Sequence, residues 1–445
     1  MRFENVVSKE PTVNQMDKLS DNTVAVPVSV PAQDAAPFGT RINSLDGVRG
    51  VAILLVIAFH ALRVGPAPGL FNAWWSGVQW SLWTGVDLFF VLSGFLITGI
   101  LLDSRADSHF FRNFYARRTL RIFPLYYAVL VVALLLVPAF IGLHRLPSLY
   151  PRLLENQWWL WIYLQNYLQS TGEHMLPGFG HFWTLAVEEQ FYWFWPLVVY
   201  MTDRRRLFRI CIALCVLSPL IRLALLAEGQ SNWAVRQYTF SRVDSLLYGA
   251  LVALAVRDRQ IFARARGWLT ALAVLSCAVL VGIAIKEGFI SYEATETIVA
   301  GYSALGILFA MLIYHLVTGG ERLGALFSAR WLRWFGKYSY ALYIFHWPVT
   351  QAYEATLRHR MPMHSRYLLG FASFVLVTLI SSVIAWLSWH LFEVHFLKLK
   401  RFFEYSKPQH QPSSLEATKN GESKAAESTA FPLYAQEGEA VGGTE

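Results

Sequence analysis

The chain has 445 residues, of which 55% are apolar and only 15% charged, and a formal net charge of +8. Soluble domains carry about 25% charge; here the apolar residues gather in long runs and the mean hydropathy is +0.37, which excludes a string of soluble domains and marks an integral membrane protein. The positive surplus sits in arginine clusters between apolar runs, where the positive-inside rule accounts for it without nucleic acid; Cys211, Cys215 and Cys277 all lie inside apolar runs, which argues against a disulfide framework and against a metal site.

In chain order, residues 1–40 are polar, with Pro27, Pro31 and Pro37, and are expected to form a disordered cytoplasmic leader. No signal peptide is expected, because the first apolar run opens near Val48, behind that leader. Ten transmembrane helices are predicted near 46–64, 81–102, 121–143, 183–202, 209–227, 243–256, 268–286, 297–317, 337–356 and 367–392, near the roughly 20 residues a crossing needs. The stretch 157–168, QWWLWIYLQNYL, is too short and too rich in Trp and Tyr to cross and reads as one interfacial or re-entrant helix. Residues 393–445 are expected to be a cytoplasmic tail, mostly disordered. With both termini inside, 20 basic loop residues fall on the cytoplasmic side and 8 outside; a crossing at 157–168 would move Arg204, Arg205 and Arg206 outside, against the rule. The fold class is therefore an all-α polytopic membrane protein with its membrane domain over 41–392. No fixed-period repeat and no inverted two-half symmetry is visible.

An ionisable side chain at the centre of a span costs about 2.5–3.5 kcal/mol on insertion scales, so each one this chain carries marks a candidate site. The first span, SLDGVRGVAILLVIAFHALRV, places Arg49 and His60 eleven residues apart. Eleven steps of about 100° return to nearly the same face, roughly 16 Å along the axis, and Asp46, three residues before Arg49, shares that face. The plain reading is a membrane anchor at Arg49 and a packing role for His60; the functional one is a cationic site and a buried base at two ends of one stripe. In GVDLFFVLSGFLITG, Ser93, Gly94 and Gly99 suit close helix packing, with Asp87 a candidate polar contact in the site. FYARRTLRIFPLYY sets Arg118 and Arg121 one turn apart, as a topogenic cluster or as a pair able to grip phosphate. GHFWTLAVEEQFYWFWP places the carboxylates Glu188 and Glu189 side by side, with His181 two turns earlier; they form either a structural ion pair with an arginine or an acid that serves a histidine. SRVDSLLYG puts Asp244 at the mouth of a span with Arg242 as its expected structural partner. WFGKYSYALYIFHWP carries His346, with Tyr343 and Ser339 on the same face.

Five segments in order, RINSLDGVRGVAILLVIAFH, GVDLFFVLSGFLI, FYARRTLRIFP, WTLAVEEQFYWFWP and FGKYSYALYIFHWP, resemble the acyltransferase-3 family of integral membrane O-acyltransferases, over about residues 41–392. The family's arginine–ten residues–histidine signature falls on Arg49 and His60, its paired arginines on Arg118 and Arg121, and its acidic motif on Glu188 and Glu189. One departure is Thr184, where the family often has serine; the hydroxyl is kept. Members fused to a hydrolase-like domain after the last span are not the expected type, since a short tail follows residue 392.

The resemblance implies transfer of an acyl group, most often acetyl, from acyl-CoA to a hydroxyl of a carbohydrate or glycosylated acceptor of the cell envelope. In that scheme Arg49, Arg118 and Arg121 hold the coenzyme A phosphates at the cytoplasmic face. His60 is the general base, a task suited to imidazole, and Glu188 or Glu189, with Glu189 slightly favoured, orients it as an acid does in a triad. Asp46, Asp87, Thr184, Tyr192, Tyr343 and His346 line the site. Acyl-CoA is the expected co-substrate, acetyl-CoA above all, with no metal; the other partners are the acceptor and the bilayer, in a bacterial inner membrane. The rival is a proton-coupled exporter whose relay would be the same buried His, Glu and Arg; the missing inverted repeat stands against it.

Overall fold

A computed structural model of the chain describes residues 42–62, 69–142, 148, 150–172, 176–356 and 366–405. The expected leader at 1–40, and the expected tail from 406 onward, lie outside the described residues. Among the described residues every regular element is helical. In chain order these are α1 (Asn43–Ala61), α2 (Leu70–Ser81), α3 (Gly85–Asp103), α4 (Phe110–Ile141, through a π-turn), α5 (Tyr150–Glu155), α6 (Trp158–Trp161), α7 (Gln165–Ser170), α8 (Trp183–Met201), α9 (Arg204–Ala227), α10 (Asn232–Gln237), α11 (Val243–Arg257), α12 (Arg259–Glu287), α13 (Thr297–Thr318, opening on a π-turn), α14 (Glu321–Phe327), α15 (Arg330–Lys337), α16 (Ser339–Thr356) and α17 (Arg366–Ser388, continuing as short helical turns to Phe403).

Among the described residues, seven helical stretches are long and apolar enough to cross a membrane by length and composition: Asn43–Ala61, Trp74–Asp103, Phe110–Ile141, Arg204–Ala227, Gly267–Glu287, Thr297–Thr318 and Tyr367–Phe403. The other three predicted spans form α8, α11 and α16, which do not meet that standard. α11 has only 15 residues, while α8 and α16 carry the polar residues discussed below. The expected count of ten is therefore not confirmed by length and composition, which support seven among the described residues.

Burial explains which helices are polar. Within the best 18-residue windows, 67% of α1 and 72% of Trp74–Asp103 are buried, against 22% of α9 and 17% of α12. The outer helices turn large apolar side chains outward, with Phe140 85%, Ile285 79% and Leu391 73% exposed; such surface is stable against acyl chains and costly against water. α11 packs on α3, α16 on α1, and α8 on α3; α11 and α16 are largely buried, while α8 buries its N-terminal half and turns Phe194, Leu197 and Met201 outward.

Two glycines set the tightest of these contacts. A Cβ on Gly94 would come within 1.8 Å of the Leu246 carbonyl oxygen, and one on Gly249 within 1.9 Å of that of Val91. Only glycine permits backbones this close.

The segment predicted as a single interfacial helix is broken in two. α6 and α7, of four and six residues, meet at Tyr163, whose φ is 54°. Neither approaches the length of a crossing. Trp158 is 71% exposed, while the Gln190 side-chain amide donates to the Tyr163 carbonyl (2.8 Å) and to Asn166 Oδ1 (2.9 Å), tying the segment to α8.

Candidate active site

The α1 stripe expected from the helical period is present. Arg49 Nη1 donates to Asp46 Oδ1 at 2.8 Å. Asp46 is buried and Arg49 partly exposed. Gly47 and Gly50 bring α1 against the backbone of the α14–α15 hairpin, where a Cβ would fall 1.6 Å from the Phe327 oxygen and 2.1 Å from that of Leu332. Eleven residues on, His60 lies in an aromatic setting, edge-on to Phe59 and Trp347.

His60 meets a second histidine. His60 Nδ1 is 2.9 Å from the Val56 carbonyl oxygen and 3.2 Å from His346 Nε2. His346 is buried and its own Nδ1 faces the carbonyls of Tyr343 (2.8 Å) and Leu342 (3.2 Å). A carbonyl only accepts, so in the neutral rings each Nδ1 carries the proton. His346 Nε2 then accepts from His60 Nδ1–H, and His60 Nε2 is left as the basic nitrogen. His181 completes the group, its ring 5.2 Å from that of His346. Both its ring nitrogens are buried and make no hydrogen bond.

α8 supplies the next layer. Thr184, Glu188 and Tyr192 fall at i, i+4 and i+8, one face of the helix. Thr184 Oγ1 and the Tyr343 hydroxyl are 2.5 Å apart, and Tyr343 donates on to the His181 carbonyl at 2.6 Å. The Ser93 hydroxyl donates to Glu188 Oε1. Arg118 lies over the Tyr192 ring, 4.3 Å from its centroid; its Nε is buried with no hydrogen-bond partner. Glu188 is within electrostatic reach of Arg118, Arg49 and Tyr343. Glu189, one residue round the helix, is buried and faces Arg118 together with Tyr126, Tyr127, Tyr163 and Tyr340.

Set against the sequence expectations, three placements stand out. His60 has His346, rather than a carboxylate, as its side-chain hydrogen-bond partner among the described residues; Glu188 and Glu189 lie toward the arginines. The arginine pair divides: Arg118 turns to α8, whereas Arg121 lies near Tyr340 and Glu393. Asp244 pairs with Arg222, not Arg242. Arg222 holds both its oxygens, at 3.1 and 3.0 Å. Arg242 instead donates to Asp87 Oδ1 at 2.6 Å, where Ser245 also donates at 3.1 Å. Residues two apart on a helix point in nearly opposite directions, so Arg242 and Asp244 reach different neighbours. Asp87 is thus part of a buried α3–α11 ion pair, beside the polar column rather than in it.

Sequence reading passed over Arg222, which sits inside an apolar run and whose partner lies 22 residues away, and it read Ser93 as packing. The signal for Arg222 was the arginine itself within a span. Ser93 had none, because its partner Glu188 is 95 positions distant.

Comparison with known proteins places the chain in a family. The acyltransferase domain family matches residues 42–389. The peptidoglycan O-acetyltransferase OatA of Listeria monocytogenes serovar 1/2a is 29% identical over 367 residues, covering 76% of this chain and 54% of the relative. The O-acetyltransferase OatA of Staphylococcus aureus strain NCTC 8325 is 27% identical over 323 residues, covering 69% of this chain and 50% of the relative. The chain thus spans about half the length of these curated relatives. No solved structure matches it significantly. With a match over most of its length, the chain belongs to the acyltransferase-3 family of membrane acyltransferases.

Proposed function

We propose that this protein is a membrane O-acyltransferase that moves an acyl group, acetyl by its relatives, from acyl-CoA to a hydroxyl of an envelope carbohydrate, peptidoglycan being the acceptor the relatives' names suggest. The observation that carries the reading is the polar column through the inner helices: Arg49 and Arg118 at one end, Glu188, Tyr343 and Thr184 between, and His181, His346 and His60 at the other. Arginine ends suit the phosphates of coenzyme A, and Arg118 fits that task in having a buried Nε without a partner. Both termini lie on the cytoplasmic side of the inner membrane in this scheme, which puts the arginine end on the side where acyl-CoA is made.

His60 Nε2 takes the proton of the acceptor hydroxyl while that oxygen attacks the thioester carbonyl. The C–S bond breaks, and the leaving thiolate takes the proton back from the imidazolium. His346 Nε2 accepts from His60 Nδ1–H throughout and stabilises the charged ring, the orienting duty that a carboxylate has in a triad. Glu188 and Glu189 act at the other end, holding Arg118 against Tyr192. The test is His60→Ala in membranes supplied with radiolabelled acetyl-CoA and a carbohydrate acceptor. Loss of a general base costs about 10²–10⁴-fold, with membrane insertion intact; transfer at the parental rate removes His60 from the mechanism.

A further inference from the structure

Beyond the polar column, three arginines surround Tyr302. Arg222 and Arg242 lie over its ring, at 5.8 and 3.6 Å from the centroid, and Arg236 is within electrostatic reach. Arg222 is answered by Asp244 and Arg242 by Asp87. Arg236, on α10, is not answered: it makes no ion pair or hydrogen bond among the described residues, and its Nε is buried without a partner. The side chain is nevertheless only part-buried. Its guanidinium lies 4.3 Å from the Trp233 ring centroid, 4.3 Å from that of Tyr292 and 5.8 Å from that of Trp183.

The position of this basket matters. Trp183 follows His181 by two residues, and Tyr292 packs edge-on against Phe59, the neighbour of His60. The basket therefore sits at the histidine end of α1, roughly 15 Å from Arg49 by helical rise, and is remote from the coenzyme A end. On its outer side Trp233 borders a groove of about 480 Å³ with Ser170, Thr171, Asn232 and Glu293, hydroxyl and amide groups suited to sugar hydroxyls. Glu293 is exposed and forms no ion pair with Arg236.

We infer that Arg236 is an acceptor-binding residue, receiving a carboxylate carried by the carbohydrate within the basket walled by Trp183, Trp233 and Tyr292. One unanswered positive charge calls for one negative charge, and the planar guanidinium edge matches a carboxylate bidentately. Aromatic faces on either side desolvate the pair and strengthen it. The inference rests on the acyl-transfer reading for the nature of its ligand.

The test is equilibrium binding to the purified full chain, read by tryptophan fluorescence because Trp183 and Trp233 flank the guanidinium. The probes are a peptide-free tetrasaccharide of alternating N-acetylglucosamine and N-acetylmuramic acid, which carries carboxylates, and neutral chitotetraose. The carboxylated probe should bind at least about tenfold more tightly, and Arg236→Gln should bring the two affinities within about twofold of one another. Arg236→Lys, which keeps the charge but not the fork, should retain part of the preference and shows that a variant at this position still folds. Equal affinities in the parent, no binding of either probe, or a preference that survives Arg236→Gln would each overturn the assignment. Failure of the acyl-transfer reading looks different: discrimination between the probes with no label moving from acetyl-CoA.

Discussion

Replacing His346 separates orientation of the base from binding of the donor. The side chain is fully buried and its Nε2 lies 3.2 Å from His60 Nδ1. In the proposed mechanism this is a neutral hydrogen bond before reaction; with the acceptor's proton on His60 the donor would be an imidazolium and the bond charge-assisted. Hydrogen bonds to charged groups contribute about 1.5–3 kcal/mol, and about 1.4 kcal/mol is tenfold in rate. His346→Leu, close in volume and unable to accept, should therefore lower kcat roughly 10- to 150-fold. KM for acetyl-CoA should hold, because Arg49, in the proposed donor site, lies roughly 16 Å from His60 along α1. His346→Gln, whose amide oxygen can stand near the position of Nε2, should recover most of the loss. Initial rates of labelled acetyl transfer in membranes, with donor and acceptor varied separately, measure both constants. Parental kcat in His346→Leu, or a change confined to the KM for acetyl-CoA, would refute the tautomer argument and the role drawn from it.

Arg118→Ala should raise the KM for acetyl-CoA by about 10-fold or more, the loss of one charge-assisted contact. Arg121→Ala should have the smaller effect, since Arg121 lies toward Glu393; equal effects would mean that the pair acts as a unit. Asp244→Asn leaves Arg222 buried with its charge uncompensated, and breaking a buried pair costs about 3–5 kcal/mol. A marked fall in the melting temperature of the detergent-solubilised protein is expected, and Asp244→Leu combined with Arg222→Met should recover much of it. An unaltered melting curve for Asp244→Asn would show that the pair does not hold α9 to α11.

Periodicity and the cost of charge in lipid were enough to place Asp46, Arg49 and His60 on one face of one helix, and to single out Glu188 and His346 as polar residues within predicted spans; Arg118 was legible only as a basic residue just outside the span predicted at 121–143. Both are properties of a single helix, so they can be read along the chain. Hydropathy also located the helices, but it could not separate those facing lipid from those facing other helices, and α8, α11 and α16 are the result. Packed against neighbours over much of their surface, they need not be apolar enough to cross alone, and α8 and α16 carry the hydroxyls, carboxylates and an imidazole of the candidate site.

Partner choice was beyond the sequence. His60 meets His346 across 286 positions, and Arg222 and Arg242 take Asp244 and Asp87 respectively. Such pairs depend on which helix faces which, and at what height. That is set by backbone approach at glycines such as Gly94 and Gly249. Side chains on different helices have no fixed spacing in sequence, so only the packed bundle decides which imidazole meets His60 and which of the guanidiniums around Tyr302 has no ion pair among the described residues.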